Sequence, residues 1–324
     1  MRIITVQPND AGQRLDKFLT KSLPNLPQTL LYKYIRLKRI KRNGKRAQIA
    51  DRLQAGDTVE LYIGDEFFEK PRPHYDFLRA AKRLDILYED ENLLLLNKKV
   101  GLLSHPDDTE YVDTLIGRVK RYLYEKGEYD PEAEQSFAPS LVNRIDRNTC
   151  GIVMAAKNAE ALRLLNQIVK SRQIHKEYLC VVHGTPPKRE DTLHGFLRKV
   201  EAKNKVEVFS SPVPGAKEIR THYRVVESYR GLSLLEIELL TGRTHQIRAH
   251  LASIGCPLLG DGKYGTNARN KAYGYKKQFL CAYRLTFDFS EDCGVLQYLD
   301  GRSFTIPEVW FASAFRDRSL WESK

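Results

Sequence analysis

Apolar positions in the first 64 residues run at helical spacing twice and then alternate. Leu15, Phe18 and Leu19 stand at helical spacing after Gly12. Leu30, Leu31, Tyr34 and Ile35 repeat that spacing behind Pro27 and Gln28, so two short amphipathic helices are expected. Asn43-Gly44 is a hairpin-type turn, because both residue types tolerate the left-handed backbone such turns need. Residues 55–63 read as a turn and then an alternating strand. Residues 1–64 therefore form a small α+β module. Residues 65–83 follow as a polar linker with Pro71 and Pro73 and no clear period.

Residues 84–324 carry the pattern of a larger domain. Residues 84–88 and 93–97, parted by Asp90-Glu91-Asn92, read as paired strands. Val112, Leu115, Ile116, Val119, Tyr122 and Leu123 make one face of a helix that stops at Gly127. Asn158 is the expected cap of a second helix, with Leu162, Leu165 and Val169 inward. Residues 174–182, 217–229, 232–240 and 279–289 are rich in β-branched and aromatic side chains and read as strands. Residues 241–248 turn into a helix with Thr244 as its expected cap, and Gly255 ends it. Asp300-Gly301 suggests a hairpin near the C-terminus. Strands outnumber helices, so an α+β domain with a large, mostly antiparallel sheet is expected.

Composition narrows the function classes. A chain of 324 residues, 42% hydrophobic and 29% charged, is that of a soluble globular protein able to bury a large core. No apolar run approaches membrane length, and no signal-peptide pattern opens the chain. The five cysteines are scattered without a Cys-x-x-Cys pair, which speaks against a disulfide framework or a cysteine zinc site and fits a reducing cytosol. A cytoplasmic monomer with no membrane association is expected.

Charge then changes the picture. The net charge is +12, and residues 1–64 alone hold thirteen Lys/Arg against five Asp/Glu. Lys33, Arg36, Lys38, Arg39, Lys41, Arg42, Lys45 and Arg46 follow one another with no acid between Leu31 and Arg46. Such density points to a polyanion, most often nucleic acid. Tyr32 and Tyr34 interleave with these cations, either to stack on bases or, more commonly, to pack in the core.

The stretch from Leu141 to Lys157 organises the large domain. Asp146 lies between Arg144 and Arg147, then Gly151 leads into the apolar run 152–156. That run reads as a buried strand. The plain reading of Asp146 is a turn residue paired with Arg144 or Arg147; the other is a reactive carboxylate. His245 and His250 are five apart and share no helical face, and no His-Glu-x-x-His or cysteine cluster exists, so no metal site is expected. A glycosidase needs two carboxylates, yet Asp146 is the only acid between Gln135 and Lys157. One carboxylate, several arginines, a tyrosine and a basic appendage suit chemistry on a base taken out of an RNA stack.

Two resemblances carry this further. Arg14-Leu-Asp-Lys-Phe-Leu19, Ile40-Lys-Arg-Asn-Gly-Lys45 and Gly56-Asp57-Thr-Val resemble the RNA-binding domain named after ribosomal protein S-four, over most of residues 12–63. Leu93-Leu-Leu-Leu-Asn-Lys-Lys-Val-Gly-Leu102, Asn143-Arg-Ile-Asp-Arg-Asn-Thr-Cys-Gly151, Lys176-Glu-Tyr178, Thr241-Gly-Arg-Thr-His-Gln-Ile-Arg248 and Gly260-Asp-Gly-Lys-Tyr-Gly265 resemble, in order, the motifs of RluA-type RNA pseudouridine synthases. The resemblance spans roughly residues 84–290.

It implies an enzyme that moves the sugar attachment of selected RNA uridines from a ring nitrogen to a ring carbon, without cofactor or metal. It implies that Asp146 is the catalytic aspartate and that Tyr178 packs on the target base. Arg248 matches the arginine that pairs with the aspartate; Arg243 is the alternative and otherwise meets phosphate. Arg144 matches an arginine associated with base extrusion, and Leu280 an aliphatic residue bordering the pocket. His245 reads as a structural hydrogen-bonder, and Lys176 as a solvated residue or phosphate contact. Lys99, Asn143, Ile145 and Cys150 replace the family's usual Pro, His, Leu and Ser. Ribosomal large-subunit RNA is the expected substrate and transfer RNA the second choice. The rival reading is a non-catalytic RNA-binding or ribosome-assembly protein on the same fold.

Overall fold

The structure is a computed structural model that describes residues 1–69, 75–200 and 205–322; Pro71 and Pro73 of the expected linker lie outside the described residues. Its N-terminal module contains β1 (Arg2–Thr5), α1 (Leu15–Ser22), α2 (Gln28–Arg36), β2 (Ile40–Arg42), β3 (Lys45–Arg46) and β4 (Thr58–Leu61). The four strands form an antiparallel sheet in the order β1-β4-β2-β3. Leu15, Phe18, Leu19, Leu31 and Ile35 from the helices meet Ile40, Val59 and Leu61 in one apolar core. Asn43 and Gly44 have φ of 49° and 72°, the left-handed pair expected of the hairpin turn. Tyr32 and Tyr34 both pack against this core.

The large domain contains β5 (Ile86–Glu89), β6 (Leu93–Lys98), α3 (Leu115–Glu125), β7 (Ser140–Leu141), β8 (Cys150–Ala156), α4 (Ala159–Lys170) and β9 (Ile174–His183). It continues with β10 (Glu190–Val200), β11 (Lys205–Phe209), β12 (Lys217–Tyr229), β13 (Leu232–Leu239) and α5 (Gln246–Ser253). It closes with α6 (Asn267–Tyr273), β14 (Leu280–Phe287), β15 (Ser303–Thr305) and α7 (Trp310–Arg316). Eleven strands share one sheet in the order β11-β10-β12-β13-β9-β14-β8-β6-β5, with β15 on β14 and β7 on β8. Every described pair is antiparallel except β8 with β14. The expected α+β class and mostly antiparallel sheet are therefore present.

The parallel pair positions the site. Gly151 has φ 116°, and a Cβ there would lie 2.2 Å from the carbonyl oxygen of Ala282. Only glycine allows β8 to approach β14 this closely. Helices α4 and α7 cover one face of the sheet, where Leu165, Ile168, Phe311 and Phe315 pack on Ile152, Leu179 and Cys281. On the other face α5 lays Ile247 and Leu251 against Tyr178, Ile237 and Leu280. Helix α3 covers Leu94, Leu96, Val153 and Ala155, with Ile145 of the central loop tucked beneath it.

Some local expectations change. Asn158 caps α4 by accepting from the Ala161 N–H at 2.8 Å. Thr244 does not cap α5; the N-cap is His245, in a left-handed conformation with φ 55° and no side-chain cap bond. Asp300-Gly301 is not a two-residue hairpin, because β14 and β15 are joined through the 3-10 turn Gly294–Leu299. The sequence also hides a docked interface between module and domain. Asn9 Oδ1 accepts from the Ala159 N–H at 2.7 Å, at the start of α4. Asn9 Nδ2 donates to Glu134 at 2.9 Å, and Gln13 Nε2 donates to Ser136 at 2.8 Å. No described helix is long and apolar enough to cross a membrane.

Candidate active site

The loop before β8 is held by backbone and side-chain ties to its neighbours. The Thr149 N–H donates to the Asp146 carbonyl at 3.0 Å and closes a tight turn. Ser104 Oγ donates to the Ile145 carbonyl at 3.0 Å. Asn143 Oδ1 accepts from the Met154 N–H at 2.8 Å, so this position ties the loop to β8 without a titratable group. Arg147 Nε donates to the Gly101 carbonyl at 3.1 Å, and the Gly101 N–H donates back to Arg147 at 2.8 Å. Buried Lys98 donates to the carbonyls of Lys99, Leu102 and Arg147 at 3.1, 2.8 and 3.1 Å. Burial brings its ammonium down to about 8.

This scaffold leaves the Asp146 carboxylate facing a cleft of about 590 Å³. The plain reading of Asp146 is not what the structure shows: its partner is Arg248 on α5, whose Nη1 donates to Asp146 Oδ2 at 2.7 Å. Arg243 makes no such contact and stays exposed at the cleft rim, as does Arg144. Arg248 is itself held bidentately by Asp261, with Nε to Oδ2 at 2.7 Å and Nη2 to Oδ1 at 2.9 Å. Burial opposes the charge on Arg248, but the hydrogen bonds and charge of Asp261, together with the charge of Asp146, outweigh it and raise its pKa. Burial likewise works against the Asp261 charge, and the hydrogen bonds and charge of Arg248 overcome it and hold the Asp261 carboxyl below its usual range. The guanidinium also lies 5.2 Å from the ring centroid of Tyr264.

His245 completes the polar side. Its Nε2 is 3.7 Å from Asp146 Oδ2, and its Nδ1 lies 2.9 Å from the Tyr264 hydroxyl. That hydroxyl already accepts from the Val206 N–H at 2.9 Å, so its own hydrogen is available to Nδ1. The Nε2 hydrogen then faces Asp146. Burial lowers the imidazole to about 4, so it is neutral at physiological pH.

The apolar side comes from β9 and β14. Tyr178 is the register partner of Ala282, which places its ring on the same sheet face as Leu280. Both line the cleft beside Asp146. Burial, and then the charge of Asp146, push the Tyr178 hydroxyl well above its usual range, which suits an apolar wall and not proton transfer. Lys176 lines the same cleft, with its ammonium lowered by burial.

On the N-terminal module, Lys33, Arg36, Lys38, Arg39, Lys45 and Arg46 are exposed. Arg42 is engaged: its Nε donates to buried Asp57 at 2.7 Å, and its Nη2 is also 2.7 Å away. Lys41 is half-buried, 5.1 Å from the Tyr62 ring centroid. Sequence reasoning overlooked Lys98, Asp261 and Tyr264 as parts of the site. Each lay inside a quoted motif, and their burial as polar groups appears only in three dimensions.

Comparison with known proteins places the chain among its relatives. Residues 92–253 match the RNA pseudouridylate synthase family, and residues 13–59 match the S4 domain. A Mycoplasma pneumoniae protein named as an uncharacterised RNA pseudouridine synthase is 30% identical over 95% of both chains. Ribosomal large subunit pseudouridine synthase C of Vibrio cholerae is 30% identical over 89% of both chains. Synthase D of Nitrosomonas europaea is 32% identical over 81% of this chain and 72% of its own. The fold is that of human RNA pseudouridylate synthase domain containing 4, with TM-score 0.57 and 21% identity over 72% of this chain and 93% of that one.

The chain belongs to the RNA pseudouridine synthase family. Within it, this is an RluA-type isomerase with an N-terminal S4 RNA-binding domain. The rival reading as a non-catalytic RNA-binding protein is set aside.

Proposed function

We propose that this synthase isomerises uridines of large-subunit ribosomal RNA, with Asp146 as its one reactive carboxylate. The contact between Arg248 Nη1 and Asp146 Oδ2, at 2.7 Å and beside the Tyr178–Leu280 wall, carries the reading. Arg248 fixes the direction of the carboxylate with a charge-assisted hydrogen bond. An ionised Asp146 acts as nucleophile or base toward the extruded uridine. The bond from the sugar to the ring nitrogen breaks, and the base turns between Tyr178 and Leu280. A bond from the sugar to the ring carbon then forms, that carbon loses its proton, and the freed nitrogen gains one. A flat apolar enclosure around a single charge permits that turn without holding the base in one orientation.

The single carboxylate also weighs against glycosidic hydrolysis. Asp146 is the only acid lining the cleft among the described residues, and Asp261 is committed to Arg248. Arg144, Arg243 and Lys176 stand where the phosphates of an entering strand would pass. The ribosomal substrate is supported by the names of the Vibrio and Nitrosomonas relatives, both ribosomal large subunit pseudouridine synthases. The S4 domain binds RNA, and its exposed cations from Lys33 to Arg46 are proposed as the contact surface.

Tritium release from RNA labelled at the uridine ring carbon tests the chemistry. Asp146→Asn keeps the shape and removes the reactive charge, so turnover should vanish while RNA affinity stays within about threefold. Substantial turnover by that variant would overturn the assignment. A pseudouridine map of cellular RNA with and without the protein identifies the substrate; loss confined to transfer RNA would overturn the ribosomal reading.

A further inference from the structure

A second cavity lies behind one wall of the cleft. It encloses about 450 Å³, with an apolar lining that includes Val100, Tyr275, Phe279, Trp310 and Phe311 and with Lys276 and Lys277 on its border. That size falls within the range of small-molecule sites. Trp310 is 50% exposed, while its ring sits 4.8 Å from Phe279 and 6.5 Å from Tyr275. Tyr275 and Phe279 are 4.6 Å apart. An exposed indole beside two further rings is a stacking platform. Lys276 and Lys277 are exposed and have no carboxylate partner among the described residues.

The two cavities share a wall. Thr149 and Leu280 line the cleft, whereas Cys150, Gln278 and Phe279 line the second cavity. Gln278 Nε2 donates to Thr149 Oγ1 at 2.7 Å and joins the two sides. Gln278 is buried and committed to that bond, so it does not read hydrogen-bonding groups in the cavity.

We propose that the second cavity takes the base of another nucleotide of the same RNA, stacked against Trp310 with Tyr275 and Phe279 behind it. Lys276 and Lys277 hold the flanking phosphates. The inference rests on the RNA synthase reading above. Aromatic faces accept any base, so the site adds affinity and registers the strand without choosing its sequence. Free cations at an apolar mouth favour a polyanion with flat apolar groups over a protein surface.

Two measurements test it on the full chain. The first is Trp310 emission, taken as the difference between wild type and Trp310→Phe. A short single-stranded oligoribonucleotide should quench it, and uridine monophosphate at the same nucleotide concentration should not. The second is tritium release from large-subunit ribosomal RNA fragments. Trp310→Ala should raise KM about tenfold, as loss of one base stack does, and leave kcat within about twofold. The surface double variant Lys276→Glu/Lys277→Glu should raise KM similarly and flatten its salt dependence, and it carries the test if Trp310→Ala fails to fold. Unchanged KM in an active double variant together with no quenching would overturn the proposal and leave a protein partner for this face. Equal quenching by the mononucleotide would overturn it in favour of a free nucleotide. A wild type that quenches but releases no tritium would instead sink the enzymatic reading.

Discussion

Asp261 holds Arg248 with both carboxylate oxygens, and one guanidinium nitrogen remains to meet Asp146. The planar fork explains why this position needs arginine: two parallel bonds fix the plane, and the remaining donor is aimed by it. Lysine offers a point charge without a plane. Arg248→Lys should keep the fold and lose about a hundredfold in kcat with a smaller change in KM. Asp261→Asn should act the same way through Arg248, and should also lower thermal stability, because a buried guanidinium loses its compensating charge. Single-turnover tritium release and a melting curve on each variant check this. Full activity in Asp261→Asn would show that Asp146 needs no second anchor.

Lys98 should matter beyond its distance from the cleft. Its ammonium satisfies three carbonyls and ties residues 99–102 to the residue after Asp146. Lys98→Met keeps the aliphatic stem and leaves those carbonyls without a donor. A loss of about 2 kcal/mol in unfolding free energy is expected, with a fall in kcat as the loop loosens. Urea unfolding and turnover at saturating RNA read the two effects. Unchanged stability would mean that water replaces the ammonium at no cost.

His245 and His250 both have pKa lowered by burial from 6.5 to about 4. The folded pKa lies below the unfolded one, so the unfolded chain binds more protons between these values. Stability is therefore complete above about pH 6.5 and is lost as pH falls toward 4. Melting temperature against pH should show that slope, and His250→Gln should flatten it. Catalysis at saturating RNA should have no inflection from His245 between pH 6 and 8, since the ring is already neutral there.

The basic run on the N-terminal module should divide by role. Lys38→Ala and Arg39→Ala remove exposed cations, so each should weaken RNA binding and reduce the salt slope by about 0.7 to 0.9. Arg42→Ala should cost stability more than affinity, because Arg42 answers buried Asp57. Removing the whole module should flatten salt dependence and raise KM more than it lowers kcat. It should also lower the melting temperature of the large domain, because Asn9 no longer caps α4 at Ala159. Binding isotherms at two salt levels, with melting curves, separate the roles. Equal affinity loss in Arg42→Ala and Lys38→Ala would contradict the division.

Local pattern carried most of the secondary structure. Helices α1 to α4 and strands β9, β12, β13 and β14 follow from helical or alternating apolar spacing and from caps such as Asn158, because each buries one face or both. Strands β10 and β11 escaped that reading. They lie toward the sheet edge, where charged side chains from Glu190 to Val200 and Lys205 to Phe209 face water and break the apolar alternation. The motif residues Asp146, Tyr178, Arg248 and Leu280 were legible as residue types in order along the chain. Their meeting was not, since they come from a loop, two strands and a helix up to 134 positions apart. Only the parallel junction of β8 with β14 and the packing of α5 against β9 and β13 bring them to one cleft. The same holds for Asp261, Lys98 and the docking of Asn9 on α4, because a buried polar group is recognised by its partner, and sequence spacing does not encode a partner that folding brings from elsewhere.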